Sequence, residues 1–207
     1  MRIIRHRCCR SICFGGLVFA LSAATSVCSF AVQGLAFVSL PFYFEDILKR
    51  TQVETGFFMT PWPLVVAIMA PIAGRLSDRY PAGILGGLGL AILGLGMVLL
   101  ATLPASPGVA DIVWRMAVCG CGFGFFQTPN MKALMSSAPA GRSGSASGIV
   151  ATARLTGQTT GAALAALCFG LAGREGATVA LALGAGFAAV GCAMSFLRLI
   201  VTSEKDA

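Results

Sequence analysis

The chain has 207 residues, of which 57% are hydrophobic and only 11% charged, with a mean hydropathy of +0.84. Soluble domains carry about 25% charged residues, so these figures exclude a water-soluble globule. The net charge of +7 does not point to nucleic acid either, because the basic residues are scattered between apolar runs instead of collecting on one polar face.

Uncharged runs cover residues 11–44, 55–74, 80–110, 116–131, 155–173 and 176–197. Several exceed the ~18–20 apolar residues that a helix needs to cross ~30 Å of hydrocarbon. They show none of the alternation of a membrane barrel, and open strands would leave backbone groups unpaired in lipid. An all-α, polytopic membrane protein follows, with helices expected near 13–43, 55–74, 81–103, 109–128, 145–171 and 177–198. Residues 1–12 then form a basic tail, 13–198 a six-helix domain and 199–207 a second tail.

The start, "MRIIRHRCCRSICFGGLVFALSAA", has the basic residues and apolar core of a secretory signal, but no charge intervenes between Arg10 and Glu45. That run is too long for a signal and predicts an uncleaved first span. Gln33 and Phe37 lie within it. In the second span, after Phe58, Pro61, Pro63 and Pro71 predict bends. The stretch "GRLSDRYPAG", Gly74 to Gly83, then places Arg75, Asp78 and Arg79 between two uncharged runs. The third span is glycine-rich, with Gly83 and Gly87 four apart on one face; Gly157 and Gly161 repeat that spacing in the fifth, as close helix packing requires.

"LPASPG" (Leu103 to Gly108) and "SSAPAGRSG" (Ser136 to Gly144) punctuate the chain before and after the fourth span. That span holds Arg115 about one turn inside its first end, and then Phe125 and Gln127. Its "GCGFG" follows no strand and fails the spacing of a nucleotide loop. Cys119 and Cys121 lie too close together, with no histidine nearby, for a zinc site, so neither metal nor cofactor is expected. Arg154 sits deep in the fifth span with Gln158. A buried arginine costs at least ~2.5 kcal/mol on insertion scales and normally faces protein or a water-filled cavity. Gln33, Gln127 and Gln158, with Phe37, Phe58 and Phe125, are candidates for a substrate pathway: an apolar wall with a few hydrogen-bonding groups.

With a cytoplasmic N-terminus, the inner segments hold ten basic residues (Arg2, Arg5, Arg7, Arg10, Arg75, Arg79, Lys132, Arg142, Arg198, Lys205) and the outer loops only Lys49, Arg50 and Arg174. This satisfies the positive-inside bias and puts both termini in the cytoplasm.

Gly74, Leu76, Asp78 and Arg79 match the signature loop of the major facilitator superfamily. "CSFAVQGLAFVSLPF" (Cys28 to Phe42), "GFGFFQTPN" (Gly122 to Asn130) and "SGSASGIVATARLTGQTTGAAL" (Ser143 to Leu164) resemble the C-terminal half of its fourteen-helix drug and proton antiporters. The resemblance implies one half of that fold, two inverted three-helix repeats, in the inner membrane of a bacterium. It also implies that Gly74, Arg75, Leu76, Asp78 and Arg79 form a gating turn, with Asp78 as a latch. Arg115 followed by Gly120 resembles an arginine and glycine pattern linked to proton coupling in the other half of these transporters. Export of drug-like, amphipathic molecules in exchange for protons is the implied activity. It requires a second six- or eight-helix half or a homodimer. The alternatives are a non-transporting membrane subunit and a truncated remnant. All eight carboxylates (Glu45, Asp46, Glu54, Asp78, Asp111, Glu175, Glu204, Asp206) fall in loops, tails or span edges, so this half carries no membrane-centred proton carrier. "GRSG" (Gly141 to Gly144) superficially matches an intramembrane serine protease, but the only histidine is His6, in the N-terminal tail, and an activated serine needs a base within reach. No enzyme is expected.

Overall fold

The computed structural model describes the backbone of residues 2–104, 106–136 and 143–206, and side chains within 18–200 other than 143, 145 and 146. Among these residues the chain is all-helical: α1 (Arg2–Phe42), α2 (Gln52–Met59), α3 (Pro61–Leu76), α4 (Ala82–Ala101), α5 (Val109–Ser136), α6 (Ser143–Ala172) and α7 (Gly176–Asp206). Five helical stretches are long and apolar enough to cross a membrane; the fifth, Ser147–Ile200, has 54 residues. That is twice what one crossing needs. It contains α6 and α7, which fold back on each other at Gly173, a residue with φ of +53°. Glycine adopts this left-handed conformation without the Cβ clash other residues meet.

Local chemistry explains the joints. α1 passes through Pro41 into a π-helical turn, Tyr43–Ile47. α2 then starts on a capping box, in which Thr51 Oγ1 accepts from the Glu54 amide (3.3 Å) and Glu54 Oε2 accepts from the Thr51 amide (2.9 Å). The bend expected from Pro61 is a joint between two helices: α2 ends, and Pro61 takes the first position of α3, where its missing N–H costs nothing. Pro71 stays inside α3. α5 continues past its expected end near residue 128, through Pro129 to Ser136. Proline normally disfavours a helix interior. Here the next residue, Asn130, is buried and hydrogen-bonded to α1, which holds the final turns in place.

The packing order across the bundle is α3, α5, α4, α7, α1, α6. It is unchanged if α1 is exchanged with α5, α3 with α6 and α4 with α7, the signature of two three-helix repeats. The repeats interlock. The middle helix of each, α3 or α6, lies along the first helix of the other, α5 or α1, while α4 and α7 pair at the centre. Small residues make these crossings close. Gly157 and Gly161 of α6 rest on the α1 backbone at Val27 and Ala31, and Gly120 and Gly124 of α5 rest on α3 at Trp62 and Val66. Gly83 and Gly87 of α4 face Leu199 and Phe196 of α7. Phe30, Leu90, Leu93, Met97, Ile112, Met116, Phe123 and Phe126 fill the core between the helices.

Candidate functional site

The helix crossing α1–α6 collects three of the five intramembrane polar groups singled out in the sequence, Gln33, Arg154 and Gln158. Phe30, Gln33 and Phe37 follow each other on one face of α1 at helical spacing, and Arg154 and Gln158 do so on α6. Gln158 Nε2 donates to Gln33 Oε1 at 3.0 Å. Both lie near the middle of their spans and are partly accessible, so the two amides satisfy each other and still offer edges to a ligand. One turn away the exposed Arg154 guanidinium lies 5.8 Å from the centre of the Phe30 ring. From there aromatic rings run across the bundle: Phe30 to Phe123 (5.7 Å), Phe123 to Trp62 (6.3 Å) and Trp62 to the exposed Phe37 (5.4 Å).

The other candidates lie elsewhere. Gln127 sits in a shallow cleft on α3 and α5 with Ala70, Thr128, Met131, Lys132 and Met135, and the half-buried Phe125 neighbours it on α5. Phe58 is buried against Phe44, with ring centres 5.5 Å apart, inside the core. Arg115 donates to the Leu99 carbonyl in the last turn of α4 and lies 5.2 Å from the Trp114 ring. A cation there caps a last-turn carbonyl that the Thr102 hydroxyl also approaches (3.1 Å), and complements the helix dipole.

The charged turn follows α3. The Ser77 hydroxyl donates to the Gly74 carbonyl (2.7 Å), and the Arg79 amide to that of Leu76 (3.0 Å). Asp78 accepts from Lys132 Nζ of α5, which ties the turn to a helix of the other repeat. Both partners are more than half exposed (66% and 53% of their side chains), so the pair is a weak tie. Arg75 and Arg79 are exposed and make no ion pair among the described residues. A methyl on Gly74 would meet only the Thr128 methyl, at 3.6 Å, an ordinary contact.

Beside that turn lies a buried polar cluster absent from the sequence-derived set. Arg198 of α7, only 4% exposed, donates to Ser22 Oγ of α1 (2.6 Å) and Asn130 Oδ1 of α5 (3.0 Å). Asn130 Nδ2 donates to Ser26 Oγ (2.7 Å) and the Ser22 carbonyl (3.3 Å). Ser195, one turn before Arg198, donates to the Gly83 carbonyl of α4 (3.0 Å). Four helices are thus joined at one level. Arg198 reads in the sequence as one more basic residue at a span end; Ser22 and Ser26, four apart in an apolar run, were the signal that α1 has a polar face here. The "GRSG" segment lies mostly outside the described residues, and the Ser143 side chain does as well.

A family model, Major Facilitator Superfamily, matches residues 5–162. This chain belongs to the major facilitator superfamily. Its relatives in that superfamily include the uncharacterized transporter YebQ of Escherichia coli (strain K12), 51% identical over 182 residues, covering 88% of this chain and 40% of the relative. The multidrug resistance protein Stp of Mycobacterium tuberculosis (strain CDC 1551 / Oshkosh) is 34% identical over 150 residues, 70% of this chain and 27% of that protein. The riboflavin transporter RibZ of Clostridioides difficile (strain 630) is 29% identical over 127 residues, 61% of this chain and 28% of its own length. The chain therefore spans less than half the length of these relatives, and what it shares with them is a transporter family.

Proposed function

We propose that this chain is one half of a secondary active transporter that exports small amphipathic compounds in exchange for protons. The observation that carries the reading is the α1–α6 crossing. The Gln33–Gln158 amide pair and the Arg154 guanidinium sit near mid-membrane on a partly open, largely apolar surface edged by Phe37. Polar groups at that depth are costly unless they face protein, water or substrate, and superfamily pathways run between two six-helix halves at the midplane. This half supplies one wall. The carboxylates lie at helix ends, loops and tails, so the proton carrier belongs to the other wall, on a partner half or in a second copy. Asp78 and Lys132 are the latch of this half: an exposed pair favours one conformation by at most about 1 kcal/mol and releases readily. Under this reading the motif turn faces the cytoplasm, as do both termini, in a bacterial inner membrane.

The test pairs this chain with the portion of the E. coli relative that it does not match, in inverted membrane vesicles with an imposed proton gradient. Accumulation of ethidium that an uncoupler abolishes, and that falls at least tenfold in Gln158→Ala, is expected. A pair that assembles and moves no ethidium under any gradient leaves the chain as a non-transporting subunit. Transport by this chain alone as a dimer would make the partner a second copy.

A further inference from the structure

The end of the bundle opposite the motif turn holds an open cleft of about 510 Å3 between the π-helical end of α1 and the α6–α7 turn. Phe42, Asp46, Ile47, Lys49, Phe169 and Arg174 line it. Lys49 and Gly173 both have φ of 53°, so both connections reverse sharply beside it. Two cations and one anion stand at its rim. Asp46, Lys49 and Arg174 are exposed, and none of them makes an ion pair or side-chain hydrogen bond among the described residues. The Phe42 and Phe169 rings, 5.2 Å apart, and Ile47 give it an apolar wall. The first span ends at Ile47, so the cleft lies at the level where hydrocarbon gives way to headgroups.

We propose that this cleft binds a phospholipid with a zwitterionic, primary-amine headgroup. The phosphodiester sits between Lys49 and Arg174, as a point charge and a planar fork together suit a phosphate. The ammonium donates to Asp46. The glycerol esters and first acyl carbons lie on the apolar Phe42 and Phe169 rings. The carboxylate sets the headgroup preference: a primary ammonium has N–H donors for it, and a trimethylated one has none. This inference concerns a resident lipid and stands apart from transport.

The test is native mass spectrometry of the purified full chain, titrated in detergent with phosphatidylethanolamine, phosphatidylcholine and phosphatidylglycerol of identical acyl chains. The wild type retains phosphatidylethanolamine in preference to phosphatidylcholine. Lys49→Gln and Arg174→Gln each weaken phosphatidylethanolamine and phosphatidylglycerol roughly fivefold, the scale of one basic residue at a membrane surface. Asp46→Asn weakens phosphatidylethanolamine by a similar factor and leaves phosphatidylglycerol unchanged or tighter, a crossover that loss of fold would not produce. Glycerophosphoethanolamine, the headgroup without chains, does not compete at the same concentration. Equal retention of the three lipids by the wild type, variants indistinguishable from it, or full competition by the chain-free headgroup overturns the assignment.

Discussion

Two polar ties sit side by side at the motif end and differ in nearly everything but position. Asp78–Lys132 joins an exposed turn to α5, where water and salt screen it. Arg198, Asn130, Ser22 and Ser26 join α1, α5 and α7 in the interior, where unmade hydrogen bonds are expensive. The first suits a contact that must open during a transport cycle, the second a joint that must not. Under the proposed function the motif turn is the part that moves and this cluster the fixed base, set by residues outside the motif.

If so, Asn130→Leu has the largest effect. It removes an acceptor from the buried Arg198 and a donor from Ser26, and is expected to cost roughly 2–4 kcal/mol in denaturant or SDS unfolding of the chain in mixed micelles. Next comes a pair of glycine substitutions that separates packing from the motif. Gly161→Ala drives a methyl into the Ala31 carbonyl of α1 and should cost about 1–3 kcal/mol, whereas Gly74→Ala, with only the Thr128 methyl at 3.6 Å, should stay within about 0.5 kcal/mol. Asp78→Asn should likewise change stability little, by under about 1 kcal/mol. Raising salt from about 0.01 M to about 1 M should erase the difference between Asp78→Asn and wild type while leaving the Asn130→Leu deficit intact. A salt-sensitive Asn130→Leu deficit, or an Asp78→Asn deficit as large, would end the distinction between joint and latch.

The sequence carries the fold well because lipid leaves few choices. Uncharged runs of span length between charged turns define the helices, and Gly83/Gly87 and Gly157/Gly161 mark faces that do pack closely. The motif was visible because its residues are adjacent along the chain. What sequence reading missed is long-range. Arg198 meets partners 176 and 68 residues away, and the lysine opposite Asp78 lies 54 residues on. No local pattern specifies such meetings; they follow from how the repeats interlock. The same holds for Arg115, whose partner is a backbone carbonyl and so leaves no mark on side-chain identity. The pairing of Gln33 with Gln158 across 125 residues likewise needed the fold, although both residues had already stood out as polar groups within apolar runs.

Interlocking also imposes a timetable on synthesis. α1 emerges before α6 and α7, where it finds most of its packing, and Gln33 waits for a partner 125 residues later. At about 5–20 residues per second the delay is roughly 6–25 s. During it the four spans up to α5 precede α6, and Gln33 lacks the amide that satisfies it in the finished bundle. The long-range pairing that joins the finished bundle leaves its nascent form with a mid-span polar group waiting for α6.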